Sequence, residues 1–198
     1  MTGVQTCALP ISTFTISVSG TRIGQSNVPE QVNASFTQMA KVTTAVALTS
    51  ATLHTSGPFT NSGPVPPRPN TATTYAVVWN VQNAENPIAG GTVTATLPSY
   101  VSYVGNSSGT GSFTYDTTSN TVTWNVGDLA QNASAQGAFQ VSLTPSTAQS
   151  GNVPELTSGA AFSGYDRYAG VQVSALASPA TTETFGDPGY SSKNAVVQ

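Results

Sequence analysis

The chain has 198 residues, of which only 7% are charged, and a formal net charge of −3. An ordinary soluble domain carries ~25% charged residues, so Ser, Thr, Asn, Gln and Gly must supply much of this surface. Five scattered basic residues (Arg22, Lys41, Arg68, Arg167, Lys193) leave no patch for nucleic acid, and no run of ~18 apolar residues is present to span a membrane.

Residues 1–12, MTGVQTCALPIS, resemble a translated sequencing adapter. Thr2–Ile11 can be written ACT GGA GTT CAG ACG TGT GCT CTT CCG ATC, with a GTG read as Met1. A signal peptide is the poorer reading, because no Lys or Arg precedes the short apolar stretch Cys7–Ile11. On the adapter reading the chain is a metagenomic fragment whose true start lies upstream. Cys7, the sole cysteine, then belongs to no native site.

Three strands are predicted over 13–18 (TFTISV), 32–37 and 42–49 (VTTAVALT), closing a first unit that runs to residue 55. Residues 56–70 follow, with Pro64, Pro66, Pro67 and Pro69. Prolines at that density are excluded from helix interiors and central strands and favour polyproline II, which predicts a semi-rigid connector. A complete unit is expected over 71–180. TTYAVVWNV (73–81) places Tyr75, Val77, Trp79 and Val81 on one face. TVTATL (92–97), SYVSYVG (99–105) and SFTYD (112–116) come next, then TVTWNVGDL (121–129) with Val122, Trp124 and Val126 on one face. GAFQVSLT (137–144), 156–163 and GVQVSAL (170–176) complete the set, and 181–198 reads as a C-terminal tail. Strict alternation means one buried face per strand. Many such strands with no credible helix predict an all-β fold, two antiparallel sheets packed as an Ig-like sandwich with Trp79 and Trp124 as its largest fillers.

The chain also repeats itself. FTISVSGTRIGQSNVPE (14–30) returns as FQVSLTPSTAQSGNVPE (139–155), with Phe14 on Phe139 and Glu30 on Glu155, and six of the seventeen pairs are identical. After a one-residue slip Ala34-Ser35-Phe36 matches Ala160-Ala161-Phe162, and Val46–Leu48 matches Val171–Val173 at the original offset. A repeat of that length is a whole domain, since solenoid units run ~20–50 residues. The expectation is a tandem array, with the first copy truncated and the second complete.

The candidates for chemistry are few. His54 is the only histidine and has no second His or native Cys to complete a zinc site or a triad. Asp116, Asp128, Asp166 and Asp187 fall in turns or strand ends. Asp116 with Asn120 is a weak calcium candidate, though calcium wants more oxygens and a polar turn explains both residues. Glu30 and Glu155 are equivalent repeat positions about a domain apart, too far for a glycosidase pair at ~5–9.5 Å. Gly90-Gly91 has no helix behind it to present amides to a phosphate. Lys41 and Lys193 give no internal isopeptide lysine within the complete unit. Tyr100, Tyr165 and Tyr168 are weak glycan-stacking candidates; Tyr103 is the better core candidate. No catalytic residue, metal site or cofactor is expected.

The stretch GPVPPRPNTATTYAVVWNVQNAENPIAGGTVTATLPSYVSYVGNSS, with FTYDTTSNTVTWNVGDL and FQVSLTP, resembles the DUF11-type repeat. It is also similar to Ig-like repeats with a GP-x-PP entry in large surface proteins of uncultivated, small-genome bacteria. The likeness covers residues 57–178, and 13–55 resembles the end of a related copy. It implies an extracellular, non-catalytic structural or spacer module whose partners are neighbouring repeats of the same chain, with surface glycan or protein as further partners. An adhesin or carbohydrate-binding module, or an accessory domain of a secreted enzyme, are the alternatives. The tail DPGYSSKNAVVQ carries no LPxTG-like sorting signal.

Overall fold

The computed structural model describes residues 11–21 and 31–198. It is all-β, with eleven strands in antiparallel sheets and two short 3-10 turns, at Thr147–Gln149 and Ser192–Asn194. Among the described residues, the first two strands, β1 (Ile11–Thr21) and β2 (Gln31–Lys41), pair only with each other. The remaining nine are β3 (Val46–Leu53), β4 (Thr73–Asn83), β5 (Ile88–Thr96), β6 (Val101–Gly109), β7 (Ser112–Asp116), β8 (Thr121–Leu129), β9 (Ser134–Leu143), β10 (Ala160–Asp166) and β11 (Val171–Ala177). They form a five-stranded sheet in the order β11-β10-β5-β8-β7 and a four-stranded sheet in the order β3-β4-β9-β6.

The two sheets share one core. From β4, Tyr75, Val77, Trp79 and Val81 are fully buried, as the alternation predicts. Across from them lie Val93 of β5, Val122 and Trp124 of β8, and Phe162 of β10. Trp79 meets Phe139 edge to face at 4.8 Å between ring centroids, and Phe113 stacks on Trp124 at 5.8 Å. The Trp124 indole N–H donates to the Thr110 carbonyl at 2.6 Å, so its polar end is satisfied inside the core. Gly137 on β9 makes room for that ring: a Cβ there would lie 2.6 Å from Trp124 Cε2.

Three expectations about boundaries change. First, β3 does not close a unit with β1 and β2. It is hydrogen bonded along its whole length to β4, from Val46 opposite Asn83 to Leu53 opposite Ala76. The strand starts at Val46 because the backbone just before it is engaged elsewhere, as the site below shows. Second, the proline-rich segment is not a free connector. It folds onto the outer face of the four-stranded sheet, where Gln140 Nε2 donates to the Thr60 carbonyl (3.1 Å) and to Asn61 Oδ1 (2.8 Å). Prolines donate nothing but still accept. Thr73 Oγ1 bonds the Pro64 carbonyl at 3.1 Å, and the Gln198 amide bonds that of Pro67 at 2.9 Å. Third, residues 181–198 are built into the sandwich. Ala180, Thr182, Ala195 and Val197 are buried. The Val197 amide donates to Asn152, and the Gly151 amide returns the bond to Val197. The same packing shortens the strand expected at 156–163. Leu156 and Thr157 give their amides to Ala180, and β10 begins only at Ala160.

Candidate functional site

β3 is an edge strand, and a carboxylate grips the chain at each of its ends. Before it, Asp166 is fully buried at the end of β10. Its Oδ2 accepts from the Thr44 amide at 2.8 Å and from Asn86 Nδ2 at 2.8 Å. Its Oδ1 accepts from the amides of Tyr168 (2.9 Å) and Ala169 (2.8 Å). Around it Thr44 Oγ1 bonds Asn83 Oδ1 at 2.8 Å, and Asn86 Nδ2 also reaches the Val42 carbonyl. Lys41 closes the outside: its Nζ donates to the Tyr168 carbonyl at 2.8 Å and sits 5.0 Å from the Tyr168 ring centroid.

After β3, Asp187 does the same work. Its Oδ2 accepts from the amides of His54 (2.6 Å) and Thr55 (3.0 Å). Its Oδ1 accepts from the Ser56 amide (2.9 Å) and hydroxyl (2.5 Å). Burial alone would raise both carboxyl pKa values, because it penalises the charged form. The hydrogen bonds outweigh it. Asp166 is held below its ordinary value by Asn86, Ala169, Thr44 and Tyr168, and Asp187 is pulled down to about 2 by Ser56, His54 and Thr55.

A folded-state pKa below the unfolded one gives stability that is complete above the unfolded value and lost as pH falls through the folded one. The urea midpoint should therefore stay flat from neutrality to about pH 4, near the unfolded carboxylate value, and fall between about pH 4 and pH 2. For Asp187, moving from 3.8 to about 2 corresponds to about 2 kcal/mol. Asp187→Asn should remove that share of the slope, as acid titration of the two proteins in urea would read.

The residues singled out from the sequence do not converge. Asp116 and Asn120 share the β7–β8 turn, and their acceptors are occupied. Asp116 takes the Ser119 hydroxyl at 2.7 Å and the Thr118 amide at 2.9 Å, which lower its pKa, while Asn120 Oδ1 takes the Tyr115 hydroxyl at 2.9 Å. Asn120 itself has φ of 52°, the left-handed turn position that Asn tolerates. Among the described residues no group of three or more His, Cys, Asp and Glu side chains is placed to hold a metal.

The tyrosines are split between the two ends of the sandwich. Tyr165 and Tyr168 lie around the β10–β11 turn, Tyr165 opposite Ala89 at the start of β5. Tyr100 lies past the other end of β5, roughly 25 Å away at ~3.4 Å per residue. Its pKa is raised, first by burial and then by the Glu155 carboxylate. Tyr165, exposed, and Tyr168, which carries Lys41, therefore share one loop end, and Tyr100 does not join them. Tyr103 packs on the core as anticipated, stacked on Tyr115 at 5.1 Å.

His54 is half-buried and lies beside the C-terminal segment at Thr184, Asp187 and Tyr190. Its ring meets Tyr75 edge-on at 5.5 Å, and neither ring nitrogen has a hydrogen-bond partner among the described residues. A cleft of about 440 Å³ opens between β3 and the C-terminal segment, lined in part by Glu155, Glu183 and Phe185. Among the described residues no helix is long and apolar enough to cross a membrane.

Asp166 and Asp187 were read from the sequence only as turn residues. Half of the Asp166 role was accessible, since an Asp accepting amides two and three residues on is a local turn signature. Its partners at Thr44 and Asn86 lie 122 and 80 positions away, with no sequence signal to link them.

No family model matches the chain, and no curated protein matches it. Among solved structures it is similar to BcpA, the major pilin subunit of Bacillus cereus, with 10% identity and a TM-score of 0.44, covering 85% of this chain and 64% of that one. A putative membrane-anchored protein from Corynebacterium diphtheriae matches at 9% identity and a TM-score of 0.41, covering 94% of this chain and 47% of that one. A GH20 exo-β-N-acetylglucosaminidase from Vibrio harveyi matches at 14% identity and a TM-score of 0.37, covering 70% of this chain and 18% of that one. Likenesses this distant assign neither an activity nor a partner.

Proposed function

We propose that the chain is a non-catalytic structural module of a repeat-containing bacterial surface protein, built to stand end to end with copies of itself. One observation carries the reading. The segment before β3 is held at one pole of the sandwich, where Asp166 grips Thr44, and residues 197 and 198 are held at the opposite pole, where they bond Asn152 and Pro67. Attachments at opposite poles suit sandwiches arranged in a line, with the span of β3, roughly 27 Å for eight residues, lying between them. The low-charge Ser/Thr surface and the internal repeat fit an extracellular array, and the resemblance to DUF11-type repeats points the same way.

Pulling single molecules from residue 42 and residue 198 tests this. A load-bearing module should give one cooperative rupture, releasing roughly 500 Å of contour from about 150 residues at ~3.5 Å each. Gradual extension without a rupture would sink the structural reading.

A further inference from the structure

The β1–β2 ribbon has one apolar face that no described residue covers. Directly opposed residues share a face, so Ile16 lies beside Phe36 and Val18 beside Ala34, with Phe14 next along β1. Phe14, Ile16, Val18 and Phe36 are 59%, 62%, 63% and 62% exposed. The opposite face is mostly polar, with the hydroxyls of Thr15 and Thr37 3.4 Å apart and with Met39 and Ile11 toward one end. A two-stranded ribbon is marginal alone in water.

Each of these apolar residues has a counterpart in the internal repeat. Phe14 matches Phe139, Ile16 matches Val141, Val18 matches Leu143 and Phe36 matches Phe162. Those four counterparts are 0–1% exposed in the sandwich core. Yet the counterparts are arranged differently. β9 lies between β4 and β6 in one sheet, whereas β10 lies between β5 and β11 in the other. Two strands that pair side by side in the ribbon thus correspond to two that face each other across a core.

We propose that the ribbon's apolar face is covered by a strand set equivalent to residues 73–129, supplied by a preceding copy. On engagement β1 and β2 part, β1 entering one sheet as β9 does and β2 the other as β10 does. The occupant is identified by the repeat itself: the same four side-chain positions are already buried by that strand set in the sandwich. The inference rests on the end-to-end repeat reading above.

The test uses the full chain with residues 1–10 replaced by a copy of residues 46–135, which keeps the repeat offset. Thr15→Cys and Thr37→Cys are introduced in this extended chain, and with Cys7→Ser in the unextended one. In the ribbon these positions are adjacent and should form a disulfide. In the extended chain their counterparts, Gln140 and Ser163, belong to different sheets, which pack ~10 Å apart, so the crosslink should be lost. Amide exchange in β1 should also slow to the level of β9. Retention of the crosslink while the added residues gain amide protection would overturn strand separation and leave the repeat reading intact. Added residues that stay unprotected and are trimmed by protease would overturn the repeat reading, and this inference with it. A dimer of the unextended chain that Ile16→Ser and Phe36→Ser dissolve would show a second copy as the cover and overturn the proposal.

Discussion

Trp124→Ala should be the most damaging single change, lowering unfolding free energy by about 3–5 kcal/mol. The ring is fully buried on β8, stacked on Phe113, and its N–H is satisfied by the Thr110 carbonyl. Truncation removes the apolar area and leaves a cavity whose walls come from different strands. Gly137 sets the size of that loss. It has no side chain to move inward, so the backbone of β9 that abuts the ring cannot refill the space. The Thr110 carbonyl also loses its partner. Urea unfolding followed by tryptophan fluorescence measures the effect, with Trp79 as the remaining reporter. A cost under about 1 kcal/mol would mean that the core is not packed around this ring.

Asp166→Ala should cost about 3 kcal/mol, out of proportion to the size of the side chain. Four donors lose their acceptor together: the amides of Thr44, Tyr168 and Ala169, and Asn86 Nδ2. Thr44 and Asn86 are buried, so the Thr44 amide loses its acceptor with no water to replace it, and Asn86 Nδ2 keeps only its bond to the Val42 carbonyl. Asp166→Asn should fall between, since one amide oxygen still accepts while the amide nitrogen faces donors. Both comparisons are read from urea midpoints, and amide exchange at Thr44 localises the damage. An Asp166→Ala protein as stable as its parent would show that the grip on residue 44 contributes nothing.

The sandwich was legible because its signal is local. Tyr75, Val77, Trp79 and Val81 alternate within one strand, and their burial follows from that period alone. The same holds for Val122, Trp124 and Val126. What was not legible was where irregular segments go. The prolines at 64, 66, 67 and 69 do exclude helix and central strand, yet they say nothing of which surface takes their carbonyls. That depends on Thr73 and on Gln198, the latter more than a hundred positions away. β3 was assigned to the preceding unit for a similar reason. Its alternation identifies a strand, while its pairing with β4 is set across a long loop that sequence period cannot see. Asp116 and Asn120 are satisfied within their own turn, which the turn pattern anticipates. The splitting of Tyr100 from Tyr165 and Tyr168 is a property of topology. The positions fall at opposite ends of β5, and only the strand order reveals it.

The placement of β3 also decides how the module answers tension. Drawing residue 44 away from one pole while residue 198 is held at the other pulls β3 along its own axis past β4. Its ladder bonds to β4, from Val46 to Leu53, then lie across the direction of force and are loaded in shear. They must yield together rather than open one after another like a zipper. A strand at the sheet edge, ordinarily the easiest to peel, becomes here the element that resists longest.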